Sequence, residues 1–248
     1  MNFSLEICVD NVASAIDAQK AGAARVELCN NLPEGGTTPG PGTIVSARNN
    51  LKIGLHVIIR PRGGDFLYSA LEYDIMRRDI VSCGESGVDG VVIGILDRSG
   101  NIDVERTARL IELARPMTAT YHRAFDMCND PVKGLEDVIA AGADRLLTSG
   151  QKNKAEEGLE LIAKLIRQAG KRIIIMPGSG LNESNIMHIA RETGAREFHL
   201  TGRKVVESEM IFQKQNISLG GISGLSEYSR KVADPDMIKR IVNLLKEI

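Results

Sequence analysis

Polar and apolar residues alternate along three short runs near the start of the chain. In Phe3-Ser4-Leu5-Glu6-Ile7-Cys8-Val9 the apolar side chains fall on odd positions, and Ser4, Glu6 and Cys8 face the other way. In Arg25-Val26-Glu27-Leu28-Cys29, Val26 and Leu28 oppose Arg25, Glu27 and Cys29. In Leu55-His56-Val57-Ile58-Ile59-Arg60, the set Leu55, Val57, Ile59 opposes His56, Ile58, Arg60. Side chains along a strand point alternately to opposite faces. If the apolar sets pack on surrounding helices, the polar sets point together into one interior. Buried charge is costly unless it is paired or binds something. The inward set is therefore the first pointer to a working site.

The same kind of pattern continues to the end of the chain. Strand-like runs fall near 3–8, 25–29, 53–59, 88–94, 117–121, 144–148, 172–176 and 196–200. Helical patterns lie between them, near 11–21, 41–49, 68–85, 103–115, 130–141, 154–169 and 182–193, with a final helix near 235–247. Asp234-Pro235 supplies that last helix with an N-cap and a first-turn proline. Leu181-Asn182-Glu183-Ser184 supplies polar capping before the helix near 182–193. Ala21-Gly22-Ala23, Ser86-Gly87-Val88, Ala141-Gly142-Ala143 and Thr193-Gly194-Ala195 each close a helix just before a strand, where glycine suits a left-handed terminator. Such an echo fits either four related βαβα quarters or a shared taste of these loops for glycine. Eight strands, each followed by a helix, predict a single (β/α)8 barrel over residues 1–248, with an irregular extension near 203–233 and a C-terminal helix. In such a barrel three of the four histidines and two of the four cysteines reach the hollow.

A length of 248 residues suits one barrel of this kind. With 31 basic and 32 acidic residues, the balanced charge offers nothing to nucleic acid or to an anionic membrane. Aromatics make up 4% and tryptophan is absent, which disfavours stacking on single strands. No apolar run is long enough to span a bilayer, and the first residues carry no signal-peptide pattern. Cys8, Cys29, Cys83 and Cys128 show no C-x-x-C spacing and no disulfide-framework density, so a reducing cytoplasm is expected.

Active sites of these barrels lie in the loops after the strands. After strand two comes a long loop with a glycine pair, Asn30-Asn31-Leu32-Pro33-Glu34-Gly35-Gly36-Thr37-Thr38-Pro39. After strand three, Arg60-Pro61-Arg62-Gly63-Gly64-Asp65-Phe66 is a candidate anion clamp, since arginine suits bidentate carboxylate or phosphate recognition. The plainer alternative for Arg60 is that it neutralises Glu6 or Glu27 inside the barrel. After strand five, His122-Arg123-Ala124-Phe125-Asp126 offers a general acid or base, against the plainer reading of a hydrogen-bonded core histidine. Gly178 and Gly180 after strand seven, with His199-Leu200-Thr201-Gly202 after strand eight, occupy the usual phosphate corner; two tight turns without a ligand are the alternative. Cys8 and Cys29 close neighbouring strands and are a candidate thiolate pair for a soft metal, or simply two small buried residues. Cys83 reads as packing, Cys128 lies near the mouth, and Tyr121 faces the helices. His-Glu-x-x-His, G-x-S-x-G, Walker A and strand-linked G-x-G-x-x-G patterns are absent.

With these stretches in view the chain resembles the CutC copper-homeostasis family from about residue 3 to 202. The matching segments are Glu6-Ile7-Cys8-Val9-Asp10, Arg25-Val26-Glu27-Leu28-Cys29, Gly35-Gly36-Thr37-Thr38-Pro39, Arg60-Pro61-Arg62-Gly63-Gly64-Asp65-Phe66, His122-Arg123-Ala124-Phe125-Asp126, Thr148-Ser149-Gly150-Gln151 and Met176-Pro177-Gly178-Ser179-Gly180. Gly40 departs from the family pattern, where Ser is expected. The resemblance implies a cytoplasmic barrel, often a homodimer, engaged in copper homeostasis, with Cu(I) as the metal and Cys8 and Cys29 as its ligands. The rival expectation is an enzyme acting on a small anionic or phosphorylated metabolite at the C-terminal mouth. There Arg60, Arg62, Asp65, Gly178, Gly180 and His199 hold the anion, His122 transfers a proton, and Glu27 or Asp126 orients His122 or acts as its partner.

Overall fold

The computed structural model describes residues 3–214, 216, 217, 219 and 226–247. Eight parallel strands alternate with helices, as the pattern of the chain predicts. The strands are β1 (Ser4–Val9), β2 (Arg25–Leu28), β3 (Gly54–Ile58), β4 (Gly90–Ile93), β5 (Thr118–Tyr121), β6 (Arg145–Thr148), β7 (Ile174–Pro177) and β8 (Glu197–Leu200). They run in the order β7-β6-β5-β4-β3-β2-β1-β8, and a parallel bridge between Gly178 and His199 draws the two ends together. The helices are α1 (Val12–Lys20), α2 (Pro41–Asn50), α3 (Ala70–Glu85), α4 (Val104–Ala114), α5 (Pro131–Ala140), α6 (Leu159–Ala169), α7 (Ile186–Thr193) and α8 (Pro235–Lys246).

The alternation separates two layers of core. Leu5, Ile7, Val9, Val26, Leu28, Leu55, Val57 and Ile59 pack outward, with Tyr121, against the helices. The opposite face of the same strands contributes only a small apolar cluster of Cys8, Cys29, Ile58 and Val92. The rest of the first three strands' inward set is polar and buried: Glu6, Arg25, Glu27, His56 and Arg60. Room for the imidazole rings comes from β4 and its end. A Cβ on Gly90 would lie 2.6 Å from the His56 ring, and one on Gly94 would lie 2.4 Å from the His122 ring.

Gly22, Gly87, Gly142 and Gly194 all take positive φ just past a helix, the backbone state that glycine adopts without a Cβ clash. Asp234 caps α8 by accepting the Asp236 N–H, with Pro235 in the first turn. Two boundaries differ from expectation. The helix expected from 154 begins with a 3-10 turn, Ala155–Gly158. The helix expected from 182 begins at Ile186, because the Asn182 side chain is spent on a local turn, accepting the Ser184 N–H. The segment expected to be irregular holds a two-stranded antiparallel ribbon, β9 (Arg203–Glu207) with β10 (Ser229–Ala233). Residues 215, 218 and 220–225 of that extension lie outside the described residues.

Candidate metal and ligand site at the barrel mouth

Register brings the inward groups into contact. Glu6 lies opposite Arg25 on β2 and opposite His199 on β8. Arg25 Nε donates to Glu6 Oε2 at 2.5 Å, and His199 Nδ1 lies 2.7 Å from Glu6 Oε1. Arg25 also reaches Glu197 at 2.6 Å, and Arg145 joins Glu197 at 2.9 Å. Burial opposes the charge of Glu6, but Arg25, His199 and His56 hold its carboxyl well below the usual range. Burial also opposes a charged His199. Its contacts with Cys8, Glu6 and Glu27 nonetheless raise its pKa well above that of an ordinary imidazole.

Cys8 and Cys29 meet at the end of this network, with sulfurs 3.6 Å apart. A hydrogen bond from Cys29 brings the Cys8 thiol down to about 5 against the cost of burial, and His199 beside it adds to the shift. The same hydrogen bond, together with burial, pushes Cys29 up. The Glu27 carboxyl completes a buried group with the two sulfurs, all within 4.8 Å of one another. Burial and the adjacent Cys8 thiolate raise Glu27 well above the carboxylate range. The arrangement therefore offers two sulfurs and a carboxyl oxygen to a soft cation.

Above Cys8 opens a cavity of about 290 Å³. Its walls include Ile58, Phe66 and Leu147, and Arg60, His122 and His199 supply polar groups. His122 Nδ1 accepts the Ala124 N–H at 3.1 Å, which leaves Nε2 as the N–H of a neutral ring. Burial, helped by the charge of Arg60, lowers its pKa to about 3. Burial likewise takes His56 to about 4.

The sequence profile of the CutC family matches residues 3–204. The chain belongs to the CutC family. A CutC-family protein of Chromobacterium violaceum is 50% identical over 241 residues, 97% of each chain. The human copper homeostasis protein cutC homolog is 44% identical, covering 99% of this chain and 90% of that one. A solved structure from Streptococcus agalactiae, described as a copper homeostasis protein CutC, superposes with a TM-score of 0.77 at 37% identity, over 80% of this chain and 98% of its own. Phosphoribosylanthranilate isomerase from Thermotoga maritima matches with a TM-score of 0.60 at 12% identity, over 99% and 100% of the two chains; that likeness shows the barrel fold alone.

In this CutC-family barrel several expected roles change. Arg25, not Arg60, neutralises Glu6, because strand register sets Arg25 beside it. Arg60 instead donates to the carbonyls of Glu34, Gly36 and Gly64, each at 2.8 Å. Neither Glu27 nor Asp126 orients His122. Asp126 is held by Arg123, Thr148, Ser149 and Gln151. Arg62 and Asp65 lie outside the cavity, where Arg62 pairs with Asp65 at 2.9 Å and with Glu72 at 2.5 Å. The Gly178 N–H is taken by the Thr148 carbonyl at 3.0 Å, and Gly180 packs on the Lys154 side chain. Cys128 is buried beside Gln151, away from the cavity lining. Phe66, Leu147 and the clasping role of Glu197 do not emerge from the alternation of the first three strands. Gly90 and Gly94, sharing a parity with Val92, carry the signal that would have given the inward face of β4.

Proposed function

We propose that this chain serves copper homeostasis and binds Cu(I) through Cys8 and Cys29. The observation that carries the reading is the pair of buried sulfurs 3.6 Å apart, at the ends of neighbouring strands in a family with members named for copper homeostasis. Soft sulfur donors suit Cu(I) over the harder cations. Glu27 stands within reach as a third donor. The expected compartment is the cytoplasm, since the pair serves only as reduced thiols. The expected partner is a second copy of the chain. Exposed Met210, Ile211, Phe212, Ile217 and Leu219 support this, since they lie on one extension of the barrel. The test of the metal is an anaerobic Cu(I) titration of the reduced protein against a competing chelator, beside a Cys8→Ser/Cys29→Ser variant. Stoichiometric binding lost in the variant is expected. Equal binding in both would overturn the assignment.

One observation favours a second reading, a barrel enzyme acting on a small anionic metabolite. Arg60 and the neutral His122 face a cavity, and a copper ion needs neither. In this reading His122 donates a hydrogen bond through Nε2 and does not act as a base at neutral pH.

A further inference from the structure

Two buried polar groups of the mouth cavity lack a full complement of partners, and they differ in charge. Arg60 is 4% exposed. Its terminal nitrogens are spent on the carbonyls of Glu34, Gly36 and Gly64, and its Nε has no partner. Carbonyls orient a guanidinium without neutralising it, and no ion pair joins Arg60 to a carboxylate among the described residues. A buried cation without a counter-charge is expensive. His122 is also 4% exposed, and its Nε2–H has no partner. The ring cannot swing away, since Ala124 holds Nδ1 and Gly94 lies against its back. Phe66 ties the two groups together. The Arg60 guanidinium sits 5.0 Å from its ring centre and the His122 ring 5.2 Å.

The other charges of the lining are already used. Arg123 pairs with Asp126 at 2.7 Å, His199 stands between Glu6 at 2.7 Å and Glu27 at 3.6 Å, the Cys8 sulfur meets that of Cys29 at 3.6 Å, and the Glu34 carboxylate accepts from the Asn31 side chain. What remains is one positive charge and one neutral donor. A carboxylate brings one negative charge and two acceptor oxygens, which matches that inventory. A phosphate dianion calls for more donors, and the Gly178 N–H that would serve it is spent on Thr148. The volume, about 290 Å³, sits at the small end of ligand pockets. Ile58, Phe66 and Leu147 make the walls apolar.

We propose that the mouth cavity binds a small monocarboxylate, its carboxylate held between Arg60 and His122 and its short apolar body against Phe66, Ile58 and Leu147. The inference rests on the second reading above and asks only for binding. A carboxylate bound without turnover upholds it while the enzymatic reading falls. The test is calorimetric titration with 3-methylbutanoate and pyruvate, beside 3-methylbutanamide as a neutral isostere and inorganic phosphate, with the imidazole Nε2–H signal followed by NMR. At least one carboxylate is expected to saturate the site and shift the His122 signal, with the amide and phosphate binding weakly or not at all. His122→Phe and Leu147→Phe should each weaken the carboxylate by about tenfold, the scale of one charge-assisted hydrogen bond or a filled cavity. Arg60→Met should do at least as much; should it fail to fold, the other two variants still decide. Arg172 pairs with Glu136 on the surface and does not line the cavity, so Arg172→Ala should leave carboxylate affinity unchanged. Absence of carboxylate binding up to ~10 mM, equal binding in the His122 and Leu147 variants, or tighter binding of phosphate would each overturn the inference, whatever the Cu(I) titration gives.

Discussion

His122 is kept neutral inside the barrel, and that neutrality has a cost in acid. An unfolded chain protonates its imidazoles near 6.5, whereas folded His122 does so only near about 3. Between those values the unfolded state binds the extra proton. Stability therefore falls as pH drops from 6.5, by about 1.4 kcal/mol per pH unit for each such group. His56, lowered to about 4, adds to the slope over its own window. His199 has the opposite sign: its raised pKa stabilises below 6.5, and that contribution is lost as pH rises through the folded value. Urea unfolding at a series of pH values should show His122→Phe flattening the acid limb by about one proton between about pH 6 and 4. An unchanged slope would mean that His122 is not buried as a neutral ring. At this scale the sequence was informative about direction and poor about partners. Alternation placed Glu6, Cys8, Arg25, Glu27, Cys29, His56 and Arg60 inward, yet the partner of Glu6, offered as an alternative role for Arg60, is in fact Arg25.

At the scale of elements, β4 makes the interior possible. Its inward positions carry glycine at 90 and just past its end at 94, and the rings of His56 and His122 occupy the space. Gly94→Ala would set a methyl 2.4 Å from His122 and 2.9 Å from the Ala124 side chain. The expected loss is about 1–3 kcal/mol, the usual cost of overpacking. It should appear as a lower urea midpoint at constant slope, with the His122 Nε2–H signal displaced. A neutral result would show that the ring has somewhere else to go. Element boundaries were legible wherever a local device sets them, as with Gly22, Gly87, Gly142 and Gly194 in left-handed backbone and Asp234 capping α8. The start of α7 was less so. Asn182 can cap a helix or close a turn, and here its side chain accepts the Ser184 N–H and closes the turn.

At the scale of the whole molecule, the ribbon of β9 and β10 is an addition to the eight strands of the barrel. Met210, Ile211 and Phe212 lie exposed in succession in the chain between its two strands. Grouped exposed apolar side chains mark interaction sites. Light scattering on a sizing column should return about twice the chain's 26.9 kDa, and an Ile211→Glu/Phe212→Glu variant should elute as the single chain. A monomer in both would remove this surface from consideration. The chain's own pattern carries the alternation of eight strands and helices, the two faces of the first three strands, and the inward set that those three strands hold. Those features follow from side-chain period and glycine backbone freedom, which act within a few residues. Which inward groups meet is set by strand pairing across the closed barrel. Glu6 and His199 are 193 positions apart in the chain, and Arg25 lies as far from Glu197 as 172. Strand register brings such partners together, and no local pattern encodes it. The same holds for the groups left unpaired: Arg60 Nε and His122 Nε2 are free because of what the closed barrel fails to place beside them.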